Sequence, residues 1–283
     1  MDFPIRIPIG RWIEAVVVWL TDHFAGIFDS ISAVVGFLLV QIDNFFNWVP
    51  WPVMMIALML VAWFTSGRGT GILVGISLFF LGCFDLWALG MSTLALVATA
   101  VFISILVGLP LGIIASRSER WNLILTPILD GMQTIPSFVY LIPAIMFFGI
   151  GNVPGILATV VFAVPPMVRL TCLGIQQVDA EVVEAGQAFG ATPFQLLIKI
   201  QLPLAIPSIM TGVNQTVMMS LSMVVVAAMI GAGGLGYKIL YSIQRIDLGV
   251  GVEAGLGILI IAIVLDRILQ GITRKQKKAL MKE

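Results

Sequence analysis

The sequence predicts an all-α, polytopic helical membrane protein, and three observations carry that prediction. Of its 283 residues, 59% are hydrophobic and only 11% are charged, whereas a soluble domain is about 25% charged and about 45–50% apolar. Mean hydropathy is +1.08, and in water such a chain would expose more apolar surface than a soluble fold carries. The apolar residues also gather in stretches close to the roughly 20 residues that a membrane-crossing helix needs. That leaves room for several spans and for little soluble mass.

Charge and cysteine content narrow the possibilities further. Lys and Arg number 15, Asp and Glu also 15, so the formal net charge is zero. The overall basic footprint of a nucleic-acid-binding protein is missing, and no nucleic acid is expected as a partner. Cys83 and Cys172 fall near opposite membrane faces in the topology argued below. They read as small apolar packing residues rather than as a disulfide. With the single histidine, His23, remote in sequence, no metal site is expected. Met1–Gly10 contains charge and proline but no compact apolar core and no small-residue cleavage site, so no signal peptide is expected.

From Trp12 to Val40 the apolar residues follow a helical period. Ile13, Val16, Val17, Leu20, Phe24, Ile27 and Ile31 recur at i, i+3, i+4 and i+7, with Glu14, Asp22 and Asp29 opposite. Such a stripe predicts an amphipathic helix lying in the membrane interface. The lipid contact is apolar, because a Lys/Arg-rich polar face is missing. An ordinary span with its polar side packed on neighbours remains the alternative. Residues 1–48 are therefore set apart as an N-terminal amphipathic region, 49–270 as the transmembrane domain and 271–283 as a basic tail.

About seven spans follow. The first is Pro50–Ser66, opened by the interfacial cluster Trp48-Val49-Pro50-Trp51-Pro52, and the second is Gly69–Ala88. The third, Met91–Ser116, contains Gly108-Leu109-Pro110-Leu111-Gly112, a small-xxx-small contact with a proline between its glycines. The fourth is Gln133–Gly149, with Pro136 and Pro143 inside it. The fifth, Val153–Leu170, is broken near Pro165-Pro166. Ser208–Gly231 and Val252–Leu269 complete the set. With seven spans, 11 of the 15 Lys and Arg fall on one side, from Arg68 and Arg117 to the tail, and Arg6, Arg11, Lys238 and Arg245 fall on the other. The positive-inside rule makes the first side cytoplasmic, with the N-terminus outside and the C-terminus inside. If the N-terminal helix crossed as well, the N-terminus would move inside, and the charge count alone does not decide between the two.

The connection between the fifth and sixth spans, about 174–207, is long for a membrane connector and lies on the cytoplasmic side. Asp179 is placed to cap a short helix with acidic residues in its first turn. Gly190 is placed to end that helix in a left-handed conformation. A second helix, Phe194–Leu202, is expected to stop at Pro203. Helix, tight turn and helix outside the bilayer make a knob suited to a soluble partner, with a plain connector as the other reading.

Here the sequence resembles a known family. Glu184-Ala185-Gly186, three residues, Gly190-Ala191, and then Ile200-Gln201-Leu202-Pro203 looks like the EAA loop of binding-protein-dependent ABC importer permeases. Gly186 stands where that pattern has a third alanine, which keeps the small size and lowers helix propensity. Asp130–Pro143, Ala163–Thr171 and Ser222–Gly231 are similar to the glycine betaine and proline betaine subfamily, and the resemblance covers most of the chain. It implies a type I ABC importer permease fold, a homodimer around one path, and two copies of a separate ATPase that receives Glu184, Ala185, Gly186, Gly190, Ala191, Ile200, Leu202 and Pro203. It also implies an extracytoplasmic solute-binding protein and a place in the cell membrane among lipid. The solute it implies is a quaternary ammonium osmoprotectant, with choline or carnitine as alternatives.

The residues themselves agree with a transport subunit rather than an enzyme. No catalytic set is visible, and no G-x-x-x-x-G-K-[ST] pattern occurs. No cofactor is therefore expected in this chain, and ATP and Mg belong to the partner ATPase. Gly231-Ala232-Gly233-Gly234-Leu235-Gly236 reads as a flexible or re-entrant external turn. Proteins hold quaternary ammonium groups on aromatic faces, and the span interiors are almost uncharged. Gln133, Thr134, Phe138 and Tyr140 in the fourth span, and Asn214, Met218 and Ser222 on one face of the sixth, are the candidate path residues. Interhelical packing is their other reading. Asp266 and Arg267 read as an inner interfacial anchor rather than a proton relay. An ion-coupled secondary transporter would be expected to carry intramembrane ionisable groups and paired repeats; neither is visible.

The charge asymmetry makes a direct prediction. In a background without Cys83 and Cys172, cysteines at Gln187 and Lys278 should resist a membrane-impermeant thiol reagent in intact cells and react after lysis. Labelling of either in intact cells would reverse the orientation.

Overall fold

The computed structural model describes residues 8–280, and among these the chain is all helical. α1, Ile9–Trp48, runs for 40 residues and changes direction at Phe24, where φ −119° and ψ 19° leave the helical range. Val35 and Leu39 bury its second half against α4 and α7, while the first half, before Phe24, has no buried residue. α2, Trp51–Ser66, and α3, Arg68–Cys83, have 16 residues each, about 24 Å by the helical rise. They form a tight hairpin around Gly67, whose φ of +104° is open to glycine and strained for other residues. Its tip docks on the last long helix: the Ser66 hydroxyl donates to the Arg267 carbonyl.

α4, Trp87–Arg117, and α7, Asn152–Gln176, form the centre of the bundle. In lipid there is no hydrophobic drive between helices, so close backbone approach must supply the attraction. Gly108 and Gly112 provide it. A Cβ on Gly108 would lie 2.8 Å from Met167, and one on Gly112 would lie 2.5 Å from Thr171 Cβ and 2.7 Å from the Val168 carbonyl oxygen. Pro165 and Pro166 are buried inside α7 without ending it, a tolerance that spans acquire from their neighbours.

The expected fourth span is not one straight helix. α5, Glu119–Thr134, is followed by a 3-10 turn, Ser137–Tyr140, and by α6, Leu141–Phe148. The two parts are bent by 104°. Pro136 removes a backbone donor and pushes Ile135 into extended geometry, φ −68° and ψ 129°. The Tyr140 hydroxyl closes the bend by donating to the Met132 carbonyl at 2.6 Å.

α8, Ala180–Ala188, and α9, Pro193–Leu196, make the expected knob. A π-helical turn, Leu197–Gln201, leads into α10, Leu202–Ala228. The expected stop at Pro203 therefore does not occur. A π turn carries the chain into α10, where proline near the helix start leaves no ladder bond missing. The glycine-rich segment after α10 is a turn tied by hydrogen bonds to two other helices. Gly231 and Gly234 take φ +88° and +76°. The Gly233 N–H donates to Asn152 Oδ1 and the Leu235 N–H to Thr93 Oγ1, each at 2.8 Å. The short amphipathic α11, Leu235–Arg245, follows and then α12, Leu248–Leu280. Among the described residues five helices, α1 included, are long and apolar enough to cross a membrane, and six when the bent pair is counted as one span; α2 and α3, expected as spans, are shorter apolar helices.

Close packing at α4–α7 predicts a sharp positional effect. Gly112→Leu should lower the thermal unfolding midpoint in detergent, because the added bulk meets backbone and overpacking costs about 1–3 kcal/mol. Gly82→Ala, where nothing lies within 4 Å, should leave the midpoint unchanged.

Candidate coupling loop and translocation path

The knob is built from local capping. Asp179 Oδ1 accepts from the Glu181 N–H at 3.0 Å and opens α8. At the other end Phe189 N–H donates to the Ala185 carbonyl, Gly190 N–H to Gln187 and Ala191 N–H to Gly186, at 3.1, 2.9 and 3.1 Å. Gly190 takes φ +80° with nothing within 4 Å of its missing Cβ. A side chain there is therefore penalised by backbone conformation and not by crowding within this chain. α9 begins with a reciprocal cap. The Gln195 N–H donates to Thr192 Oγ1 at 3.3 Å, and the Thr192 N–H donates to Gln195 Oε1 at 2.9 Å.

Gly186 has a structural reason. A Cβ there would lie 2.6 Å from Ile200 Cδ1 and 2.9 Å from Leu196 Cδ1. Glycine lets α8 lie close over the π turn, so Ile200 forms the floor on which α8 rests. Leu202 and Pro203 then open α10 beneath it. Arg117, the last residue of α4, donates to the Pro193 carbonyl at 2.9 Å and ties the knob to the bundle. Glu184 and Ala185 are exposed. The loop also presents aromatic residues that sequence reasoning passed over. Phe189 is 92% exposed and Phe194 68%. Side chains this large and apolar, left uncovered by the rest of the chain, mark a contact surface. Only their position beside the turn glycine could have drawn attention to them.

Two polar surfaces within the membrane domain are left without a covering helix. On α10, Thr211, Gln215, Met218 and Ser222 are exposed in a single stripe at helical spacing. The hydroxyls of Thr211 and Ser222 back-bond to the Pro207 and Met218 carbonyls at 2.9 and 3.0 Å. At the bend, Gln133, Thr134 and Phe138 are exposed, and the 3-10 turn carrying Phe138 lies beside α10. Tyr140 is different: its hydroxyl is spent on Met132, and its ring packs on a core cluster with Leu141, Met223 and Ile230.

Asn214 does not share the stripe with Met218 and Ser222. Its amide Nδ2 donates to Asp266 Oδ1 on α12 at 3.2 Å, and Gln270 Nε2 donates to both Asp266 oxygens at 2.9 and 2.8 Å. A carboxylate among apolar helices must be hydrogen-bonded, and these two amides provide for it. Asp266 thus anchors α12 to α10, and Gln215 takes the place on the stripe that sequence spacing assigned to Asn214.

This architecture, a bundle with a bent span and a capped helix–turn–helix protrusion between two of its helices, is that of a membrane permease component. The chain belongs to the family described as binding-protein-dependent transport system inner membrane component, which matches residues 108–278. It is 48% identical over 271 residues to the glycine betaine/proline betaine transport system permease protein ProW of Escherichia coli (strain K12), covering 96% of this chain and 77% of that protein. It is 47% identical to the glycine betaine transport system permease protein OpuAB of Bacillus subtilis (strain 168), covering 98% of each. Among solved structures it shares its fold with the MetNI methionine ABC transporter in inward-facing conformations. There the TM-score is 0.61 and the identity 23%, over 65% of this chain and 92% of the other. The protein is accordingly a multi-pass inner-membrane permease subunit of an ABC importer.

The path surface and the anchor predict different failures. Met218→Trp or Ser222→Trp should block solute uptake at normal protein level and normal thermal midpoint. Asn214→Leu should instead lower the midpoint, since it removes the α10–α12 bond to Asp266 and a hydrogen bond to a charged group contributes about 1.5–3 kcal/mol. Unimpaired uptake by both tryptophan variants would remove the α10 stripe from the path.

Proposed function

We propose that this chain forms the translocation path of an importer for betaine-type osmoprotectants, small solutes carrying a quaternary ammonium. In this reading two copies pair around one path, two copies of a separate ATPase dock on the cytoplasmic knobs, and an extracytoplasmic binding protein delivers the solute. The observation that carries the coupling part is the knob itself, rigidly capped at both helices and tipped by the uncovered Phe189. Glu184, Ala185, Gly186, Gly190 and Ala191 shape its docking face, and Ile200, Leu202 and Pro203 support it from beneath. ATP and Mg are held by the ATPase, and this chain supplies the lever.

The solute assignment rests on likeness to the betaine permeases over nearly the whole chain and on the chemistry of the uncovered surfaces. A zwitterion with a methylated ammonium needs polar but uncharged surroundings to pass without being trapped. Gln133, Thr134, Gln215 and Ser222 offer hydrogen bonds, and Phe138 and Met218 offer polarisable faces. Capture belongs to the binding protein, so weak contact along the path favours turnover. Choline and carnitine share the ammonium chemistry and are distinguished by competition.

Orientation and the placement of α1 belong to the same proposal. The Phe28 ring stacks on Phe147 and meets Phe148 edge-on, at centroid distances of 4.7 and 5.5 Å. Gly36 faces Val153, and Asp43 and Asn44 line a cleft with Ser92 and Asn152. All these partners lie at the end of the bundle where α6 stops and α7 begins. A helix that crossed would meet successively deeper partners, so these contacts support an α1 lying along the outer interface, with the N-terminus outside and the C-terminus in the cytoplasm.

The test is uptake of radiolabelled glycine betaine by vesicles holding the permease, its ATPase and its binding protein. Wild type should transport only with ATP. Gly190→Asp should abolish uptake at unchanged protein level, and Gly190→Ala, with only the backbone cost of about 1–2 kcal/mol, should be milder. Full uptake by Gly190→Asp would reduce the loop to a connector, and ATP-independent uptake would move the protein to the secondary transporters.

A further inference from the structure

α5 is lightly held for a helix inside a bundle. Only Leu129 is buried along its 16 residues, whereas α7 beside it is buried over most of its length. Two polar contacts fix its inner-facing part. One is the Tyr140–Met132 bond across the bend. The other is lateral: Arg169 Nη2 on α7 donates to Asp130 Oδ1 on α5. This is the one ion pair among the described residues, and its side chains are 39% and 57% exposed. A pair so open to solvent contributes little to stability. The fold does not depend on it.

Its position has more consequence than its energy. Arg169 lies two turns before the end of α7 at Gln176, and the chain then reaches Asp179, the cap of α8, within three residues. α7 cannot flex freely in between. Gly112 holds Thr171 close, and a Cβ on Gly174 would lie 2.6 Å from Ser208 Cβ of α10. Displacement of the knob must therefore carry Arg169 with it. On the other side, Asp130 precedes Gln133 and Thr134, on the exposed surface of the bend, by a single turn. The pair joins the segment that moves with the knob to the segment that borders the path.

We propose that the Arg169–Asp130 pair transmits displacement of the coupling helix to α5 and so positions the bend beside the path during each cycle. Both are positioning residues for transport and not solute ligands. The inference rests on the coupling role of the α8 knob. Coupling of this kind is demonstrated by a double-mutant cycle on function rather than by proximity.

The experiment uses the full complex in vesicles and measures solute moved per ATP hydrolysed, together with thermal midpoint and ATPase co-purification. Asp130→Asn and Arg169→Gln should each lower the transport ratio by roughly threefold to thirtyfold, the range such coupling spans, with midpoint and co-purification unchanged. Asp130→Glu should retain most of the ratio. The exchanged pair, Asp130→Arg with Arg169→Asp, should recover much of what either single change loses. A wild-type ratio in the single variants, or an exchanged pair no better than they are, overturns the proposal, as does a loss that simply follows a fall in thermal midpoint. Should Gly190→Asp transport normally in the same vesicles, it is the coupling role of the knob that fails, and the ion-pair result is then read separately.

Discussion

Close backbone packing around α7 is the constraint on which the other features depend. Lipid is as apolar as leucine, so helices gain nothing by hiding apolar side chains from it. They gain by contact, and contact is greatest where glycine removes the side chain. Gly108 and Gly112 on α4 bring Met167 and Thr171 against the backbone, Gly174 meets Ser208, and Gly212 on α10 lies against Leu170 and Met167. These approaches hold α7 on both sides and let it keep Pro165 and Pro166 without breaking. The same helix begins beside the glycine-rich loop and ends at the knob. It is a strut between the two ends of the molecule.

Polar groups are then distributed by what the bilayer permits. Several of those facing neighbours are bonded: Asp266 by Asn214 and Gln270, and Thr159 by back-bonding to the Gly155 carbonyl at 2.7 Å. Those left uncovered, Gln215, Thr211, Gln133 and Thr134, lie on α10 and at the α5–α6 bend. Exposed amides facing hydrocarbon would be costly, so these surfaces must meet water or a second subunit. In the proposed dimer, a path at the subunit interface satisfies both.

What was legible in the sequence is what local chemistry determines. The cap at Asp179 and the positive φ at Gly190 depend on a few neighbouring residues, and both occur at the expected positions. Gly108 and Gly112 were recognisable as a contact because the spacing of small residues needs no partner to be named. The misses involve distance in sequence. Spacing could not tell Asn214 from Gln215, because the partner that draws Asn214 away, Asp266, lies 52 residues on. Pro203 read as a stop because the π turn that accommodates it forms where α8 and α9 pack on the bundle. The bend at Pro136 was hidden by a hydropathy continuous with α6. α11 was hidden because 11 residues of mixed polarity do not announce a helix. The glycine loop read only as a flexible or re-entrant turn because its bonding partners, Asn152 and Thr93, lie on two other helices.

If α7 is a strut and the knob its cytoplasmic end, the exposed tip of the knob must be covered in the working transporter by the ATPase. A photo-activatable amino acid in place of Phe189, in the complex assembled in membranes, tests this directly. Irradiation should yield a covalent adduct between the permease and the ATPase subunit, and the same substitution at Ile246, on the opposite face, should yield none. Adducts of position 189 with lipid or with the permease alone, and not with the ATPase, would contradict the account.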